Sequence, residues 1–393
     1  MPAVLQRRAG LPQLVLLLAG SCLSVLGAVL IAPVLPQMTA HFAGTPGADV
    51  LVPIVLTVPA LIIGLTAPFA GFIADRIDRK RVLILAMAGY TIFGTAPLYL
   101  DTLGAIIGSR VLVGLCEAAI MTCCTTLIAD YWSGPRRSRY LGLQTLLASV
   151  SATVFLAAGG ALGSSGWRTP FWLYLAAALL AVPMALLIWQ PPATANRELP
   201  PAPWRQLRVP CLVTLAGGIV FYALIVELSF VLDEAGVTAT ATIGALSALM
   251  SLATALAAGS FAKLSGRTPR QLVPVAFGLS AAGLLVIWSS GAVPVITVGA
   301  VLTGAGTGLL LPVLVTWATN GLSFAERGRG TGLWTGTLFV GEFLSPILIT
   351  ALAGAFGGLR PALGVLGILT AILAAASLAI IPRTAGPLDV THD

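Results

Sequence analysis

The stretch "LGAIIGSRVLVGLCEAAIMTCCTTLIA", Leu103 to Ala129, carries one guanidinium, Arg110, and one carboxylate, Glu117, in an otherwise apolar run. A run of this length is what a bilayer core about 30 Å thick requires, since a crossing helix needs roughly 20 predominantly apolar residues. The rest of the chain repeats the pattern. Hydrophobic residues make up 58% of the 393 positions and charged residues 9%, with a mean hydropathy of +0.99, whereas soluble domains carry about 25% charged residues. The composition is that of a membrane protein, with no room for a sizeable soluble domain.

Apolar runs predict twelve helices, at Leu11 to Leu35, Val50 to Ala74, Val82 to Leu100, Leu103 to Ala129, Tyr140 to Leu162 and Pro170 to Trp189, then at Val209 to Leu232, Thr240 to Ala262, Leu272 to Ser289, Pro294 to Ala318, Thr331 to Phe356 and Pro361 to Ile381. Arg7 and Arg8 ahead of the first run resemble the start of a signal peptide. The run continues through Pro33, however, beyond the roughly 7 to 15 residues of such a segment, and is read as a retained first helix.

The formal net charge is +7, and the placement of the basic residues explains it without nucleic acid. Arg7, Arg8, Arg76, Arg79, Lys80, Arg81, Arg136, Arg137, Arg139, Arg197, Arg205, Arg208, Lys263, Arg267, Arg270, Arg327, Arg329 and Arg383 fall at the N-terminus, in loops after even-numbered helices or in the C-terminal tail. Arg168 and Arg360 fall on the other side. By the positive-inside rule both termini are expected in the cytoplasm, which for a bacterial protein means a multi-pass protein of the inner membrane. The five cysteines lie in or at predicted spans and imply no disulfide framework. His41 and His392 stand alone, so no metal site is expected, and no cofactor.

"QPPATANRELPPAPWRQLRV", Gln190 to Val209, is rich in proline and polar residues and reads as a linker between two sets of six helices. The expected organisation is residues 1–190 as the first bundle, 191–208 as a cytoplasmic linker and 209–393 as the second bundle with a short tail. "GFIADRIDRKR" (Gly71 to Arg81) after the second helix matches "GSFAKLSGRTPR" (Gly259 to Arg270) after the eighth. "RYLGL" at Arg139 matches "RGTGL" at Arg329 at nearly the same interval. Such duplication is one of the known transporter plans.

With these motifs the whole chain resembles the major facilitator superfamily, and this implies an all-α membrane protein of two pseudo-symmetric six-helix bundles. The family's most specific motif, G-x-x-x-D-R-x-G-R-(R/K), is matched by Gly71, Asp75, Arg76, Arg79 and Lys80, with Asp78 where a second glycine belongs. Aspartate tolerates the left-handed turn that glycine would permit there. The resemblance implies a cytoplasmic gate. Asp75 would face the N-terminus of helix eleven, where a negative charge complements the helix dipole, and Arg76 and Arg79 would bridge to Asp130. The alternative is that the basic loop only sets topology. "GWRTPFW" (Gly166 to Trp172) and "GAGTGLLLP" (Gly304 to Pro312) resemble the family's sixth and tenth helices, where small residues also serve close helix packing.

Arg110 and Glu117 are seven residues apart, almost two turns, and so share a helix face, with Gly114 between them expected to clear space. A charge in the membrane costs several kcal/mol and faces a cavity or a partner. Arg110 and Gly114 resemble the family's fourth-helix motif, whose arginine lies in the central cavity and is linked to proton coupling in drug:proton antiporters. Two readings stand for this pair: a proton- and substrate-coupling site, or a static salt bridge with Arg110 snorkelling outward. Glu227 in "YALIVELSF" lies on a cavity-lining helix by the resemblance, or else reaches water at the outer end. Glu342 in "VGEFLSP" is a second coupling candidate, or a packed glutamic acid. Tyr222, Trp317 and Trp334 are candidate cavity walls, although aromatics also fill interfaces and anchor to headgroups. Prolines 33, 36, 59, 68, 312 and 346 would bend or loosen helices.

The antiporter signature G-P-x-x-G-G is half present: Gly159 and Gly160 remain, with Phe155 and Leu156 in place of glycine and proline. The ending "APVLPQM" of helix one and the short linker resemble bacterial efflux carriers. The expected activity is proton-coupled export of a small organic compound, a drug-like cation or a metabolite such as a siderophore, by a monomer whose partners are that substrate, protons and the lipid bilayer. Uptake or exchange of an anionic or zwitterionic metabolite is the alternative. An enzyme is not expected, since H-E-x-x-H and G-x-S-x-G are absent, as is the G-x-x-x-x-G-K-(S/T) loop that would couple transport to nucleotide. A sensor would carry an added soluble domain.

Overall fold

Backbone groups in a bilayer must be satisfied within the protein, which favours helices whose hydrogen bonds are internal. The structure, a computed structural model, describes residues 9–76, 78–191, 203–264, 266–382, 386 and 388, and of residues 70–76, 324 and 325 only the backbone. Among the described residues twelve helical segments are long and apolar enough to cross a membrane. In the first half they are α1 (Leu11–His41), α2 (Ala48–Arg76), α3 (Arg79–Thr95), α4 (Leu103–Tyr131), α5 (Gly134–Gly163) and α6 (Thr169–Leu187). In the second they are α7 (Trp204–Glu234), α8 (Thr240–Ser260), α9 (Pro269–Ser289), α10 (Val293–Asn320), α11 (Phe324–Phe356) and α12 (Leu359–Ile380).

Several helices begin before their apolar runs do. α5 starts at Gly134 rather than Tyr140, α11 at Phe324 rather than Thr331, and α7 at Trp204, within the stretch expected to be linker. Apolarity marks what lies in the bilayer, whereas a helix ends where its first amides find a cap. At α11 that cap is a box formed by Ser323 and Glu326, two turns ahead of the apolar run.

Asp78 also departs from expectation. Its backbone is extended (φ −62°), not left-handed, and its side chain accepts from the Arg81 amide at 3.0 Å. Aspartate is a preferred N-cap, so the residue that replaces the motif's glycine serves to start α3.

α1 is interrupted. A helical stretch to Val29 gives way to a 3₁₀ turn at Ala32–Val34 and a second short helix, Leu35–His41. Pro33 and Pro36 lack the amides that a continuous helix would need. Beyond the break, α1 packs against α5 of its own bundle and against α7 and α8 of the other.

The bundles also meet along α2 with α11 and α5 with α8. The retained half of the antiporter signature lies at the second seam. A side-chain carbon on Gly159 would collide with the Leu30 carbonyl at the α1 break, and one on Gly160 with the backbone of Thr240 and Gly244 on α8. The "GAGTG" of α10 is likewise a packing motif, with Gly304 and Gly308 against α8 and Gly306 against α9.

Candidate functional site

Thr102 caps α4 by accepting from the Ala105 amide, and two turns on Arg110 is fully buried, with Glu117 1% exposed. They do not meet. Among the described residues no ion pair joins them; instead Arg110 Nη2 donates to the Tyr174 hydroxyl of α6 at 2.5 Å. The guanidinium carbon sits 4.9 Å from the Tyr174 ring centre and 6.0 Å from that of Phe171, within cation–π range. Nε and Nη1 have no hydrogen-bond partner. Arg110 therefore neither snorkels to an interface nor forms a static bridge with Glu117.

The Glu117 carboxyl lies against α1 at Gly27, where a side-chain carbon would occupy the space of Oε1. Oε1 is buried without a hydrogen-bond partner. The Tyr90 hydroxyl of α3 borders the same glycine and donates to the Leu23 carbonyl at 2.6 Å. The Tyr90 and Tyr174 rings lie 4.9 Å apart, filling the ground between Arg110 and Glu117. Gly114 was expected to clear that space but serves another contact, since it faces Pro59 and Ile62 of α2.

Tyr222 on α7 reaches across from the second bundle. Its hydroxyl donates to the Ala28 carbonyl of α1 at 2.5 Å, one residue beyond Gly27, and it interacts electrostatically with Glu342, Glu117, Tyr174 and Arg110. Glu342 on α11 is 5% exposed, and Gly341 beside it packs on Gly218, one turn from Tyr222. The structure thus brings Arg110, Glu117, Tyr222 and Glu342 into one buried neighbourhood.

It places the other expected residues elsewhere. Glu227 is also 5% exposed, which removes the water-exposed reading. Its charged neighbour is Glu234 at the end of α7, itself in reach of Arg360 and Asp233. Trp317 and Trp334 pack in a core group of the second bundle with Leu207, Phe261 and Leu322. At the cytoplasmic motif Arg79 makes a direct ion pair with Asp130. Both residues belong to the first bundle, so this pair does not by itself join the halves; the side chains of Gly71, Asp75 and Arg76 lie outside the described residues.

Sequence reading missed Tyr90, Tyr174, Phe171 and Gly27. Phe171 stood within "GWRTPFW" with Tyr174 just after it, but nothing local to that motif marks an aromatic that meets α4. Arg168 in the same motif holds the α3–α4 loop by donating to the Pro97 and Leu100 carbonyls and to Asp101, which fixes where α6 begins.

Comparison with known proteins agrees with this architecture. The chain is 25% identical to the multidrug efflux protein YfmO of Bacillus subtilis over 360 residues, covering 89% of each chain. It is 31% identical to multidrug resistance protein 2 of Bacillus subtilis (strain 168), over 44% of this chain, and spans less than half of that relative, 43%. Among solved structures, a bacterial homologue of the human lysosomal transporter Spinster, inward-facing and occupied, superposes with a TM-score of 0.79 at 16% identity, covering 95% of this chain and 97% of that one. The D-xylose–proton symporter does so with a TM-score of 0.79 at 13% identity, covering 95% and 98%. At such identities the likeness concerns the fold. The sequence model of the Major Facilitator Superfamily matches residues 17–267 and 211–391, and the chain belongs to that superfamily of multi-pass membrane transporters.

Proposed function

We propose that the protein exports a small organic compound, a drug-like cation or a metabolite, in exchange for protons, with both termini in the cytoplasm of a bacterial cell. The observation that carries this reading is the Glu117 carboxyl, buried where α1, α3 and α4 meet Tyr222 of the other bundle, with Oε1 lacking a partner. A carboxylate left unpaired at such a place costs several kcal/mol. An arriving proton removes that penalty, and so does an arriving cation; a site that takes either at a crossing between bundles has the property an antiporter needs. Export is supported by a relative named as a multidrug efflux protein and by another named for multidrug resistance.

In this reading Glu117 carries the proton beside Arg110, Glu342 is a second coupling group near Tyr222, and Tyr222 lies at the bundle junction. Asp75 and the Arg79–Asp130 pair form the cytoplasmic gate, and the protein works as a monomer. Everted membrane vesicles with an imposed pH gradient test it, with a panel of lipophilic cations and siderophore-like acids as probes. A probe that dissipates the gradient with the native protein but not with Glu117→Gln supports antiport through Glu117. Equal dissipation by both proteins removes Glu117 from the role and turns attention to Glu342.

A further inference from the structure

Arg110 and Glu117 stand on one face of α4 with about 10.5 Å of rise between them, and both are almost wholly buried. Opposite charges so placed gain by meeting, because attraction in a low-dielectric interior is strong and each keeps polar atoms without hydrogen-bond partners. They nevertheless stay apart: two of the three guanidinium nitrogens and Glu117 Oε1 are unpaired while the third nitrogen binds Tyr174.

Tyr174 is held for this task from several sides. A side-chain carbon on Gly94 of α3 would overlap its ring, Tyr90 packs against it at 4.9 Å, and Phe171 stacks beneath at 6.1 Å. It is also the last residue of a six-residue 3₁₀ segment, Thr169–Tyr174, that opens α6. Such runs rarely exceed three or four residues.

We propose that Tyr174 is a positioning residue for proton exchange: its hydroxyl holds the Arg110 guanidinium away from Glu117, and release of that bond lets Arg110 pair with Glu117 as the proton leaves. The proposal rests on the antiport reading and adds to it the element that keeps the two charges apart. Among the described residues the titratable and charged groups in reach of Glu117 are Arg110 and Cys116 on α4, Tyr90 on α3, Tyr174 on α6 and Tyr222 on α7. α1 presents Gly27, and α2 presents Pro59 and Ile62 to this part of α4. Arg110 is the one cation among them, so its position sets how readily Glu117 gives up a proton.

The test is an infrared pH titration of the purified full-length protein, following the carboxyl stretch that disappears in Glu117→Gln, beside the vesicle assay. In Tyr174→Phe the ring stays and only the hydroxyl goes, so Arg110 is free to turn to Glu117. The band's midpoint is expected to fall by one pH unit or more, and the pH profile of export to move the same way. In Arg110→Gln, adding Tyr174→Phe is expected to change nothing further. Gly94→Ala, which displaces the Tyr174 ring, is the second route to the same shift if Tyr174→Phe fails to fold. An unchanged midpoint in both variants, or a further shift of equal size in the Arg110→Gln background, overturns the proposal. The infrared result needs no transport: if the Glu117 band shifts as expected in Tyr174→Phe while the native protein moves no protons with any probe, the antiport reading sinks and the placement of Arg110 by Tyr174 stands.

Discussion

Tyr222 of α7 and Ala28 of α1 lie 194 positions apart in the chain and share a hydrogen bond that ties the second bundle to the first just before the break in α1. The interruption at Ala32–Val34 alters the helical hydrogen-bond ladder beyond Ala28, and Tyr222 supplies the carbonyl with a donor from the opposite bundle. A single such bond contributes about 0.5–1.5 kcal/mol net, enough to bias an equilibrium between two packings of the bundles.

Tyr222→Phe is therefore expected to shift that equilibrium toward separation at the end remote from the termini by about 2- to 10-fold. Spin labels at the exposed positions Ala43 and Thr238, in the α1–α2 and α7–α8 loops, would report a growing population at longer distance. A distance distribution identical to that of the native protein would mean that the bond carries no weight in closure.

Gly27→Ala puts a methyl group where the Glu117 carboxyl lies. Overpacking of this kind costs about 1–3 kcal/mol, so the unfolding temperature is expected to drop and export to decline. Glu117→Asp shortens the clashing side chain by one methylene, and the double variant is expected to regain part of the lost thermal stability. Additive losses in the double variant would place the clash elsewhere.

Among the described residues Arg110 is the largest fully buried side chain, and two of its nitrogens lack partners. Replacing buried ionic groups with apolar residues of similar volume is often neutral or stabilising by about 1–4 kcal/mol. Arg110→Met combined with Tyr174→Phe, which leaves no orphaned hydroxyl, is expected to unfold at or above the native temperature while losing export. A sharp drop in thermal stability would show that Arg110 is retained for structure rather than for transport.

The Arg79–Asp130 pair is partly exposed, with side chains 13% and 27% accessible. Exposed pairs contribute about 0–1 kcal/mol, so Asp130→Asn is expected to leave thermal stability nearly unchanged. If the pair belongs to the gate, export falls by much more than stability does, and the reversal Arg79→Asp with Asp130→Arg recovers a measurable part of it. Export that follows stability step for step would reduce the pair to a local tie within the first bundle.

The limits of sequence reading show at particular residues. The second glycine of the loop motif became an N-capping Asp78, because capping depends on which amide lies three residues ahead, a detail that a motif comparison does not weigh. Gly114 reads in sequence as room between Arg110 and Glu117, whereas it is α2 that it lets approach, at Pro59 and Ile62. Glu227, Glu342 and Glu117 looked alike as acids inside apolar runs. Only their neighbours separate them: Glu234 for the first, Tyr222 for the second, and Gly27 with the two tyrosines for the third.

By itself the sequence determined the membrane class, the twelve spans, the duplicated halves and the positions of the buried charges, because apolarity, charge and motif spacing are local quantities that can be summed along a chain. Tertiary structure alone decided what each buried charge touches. Arg110 binds Tyr174, 64 positions away, rather than Glu117 on its own helix face. That choice is made by which helices pack side by side and where Gly94 and Gly27 leave room for a ring and a carboxyl group. A buried group's partner is set by geometry between segments, and no window along the chain contains both sides of it.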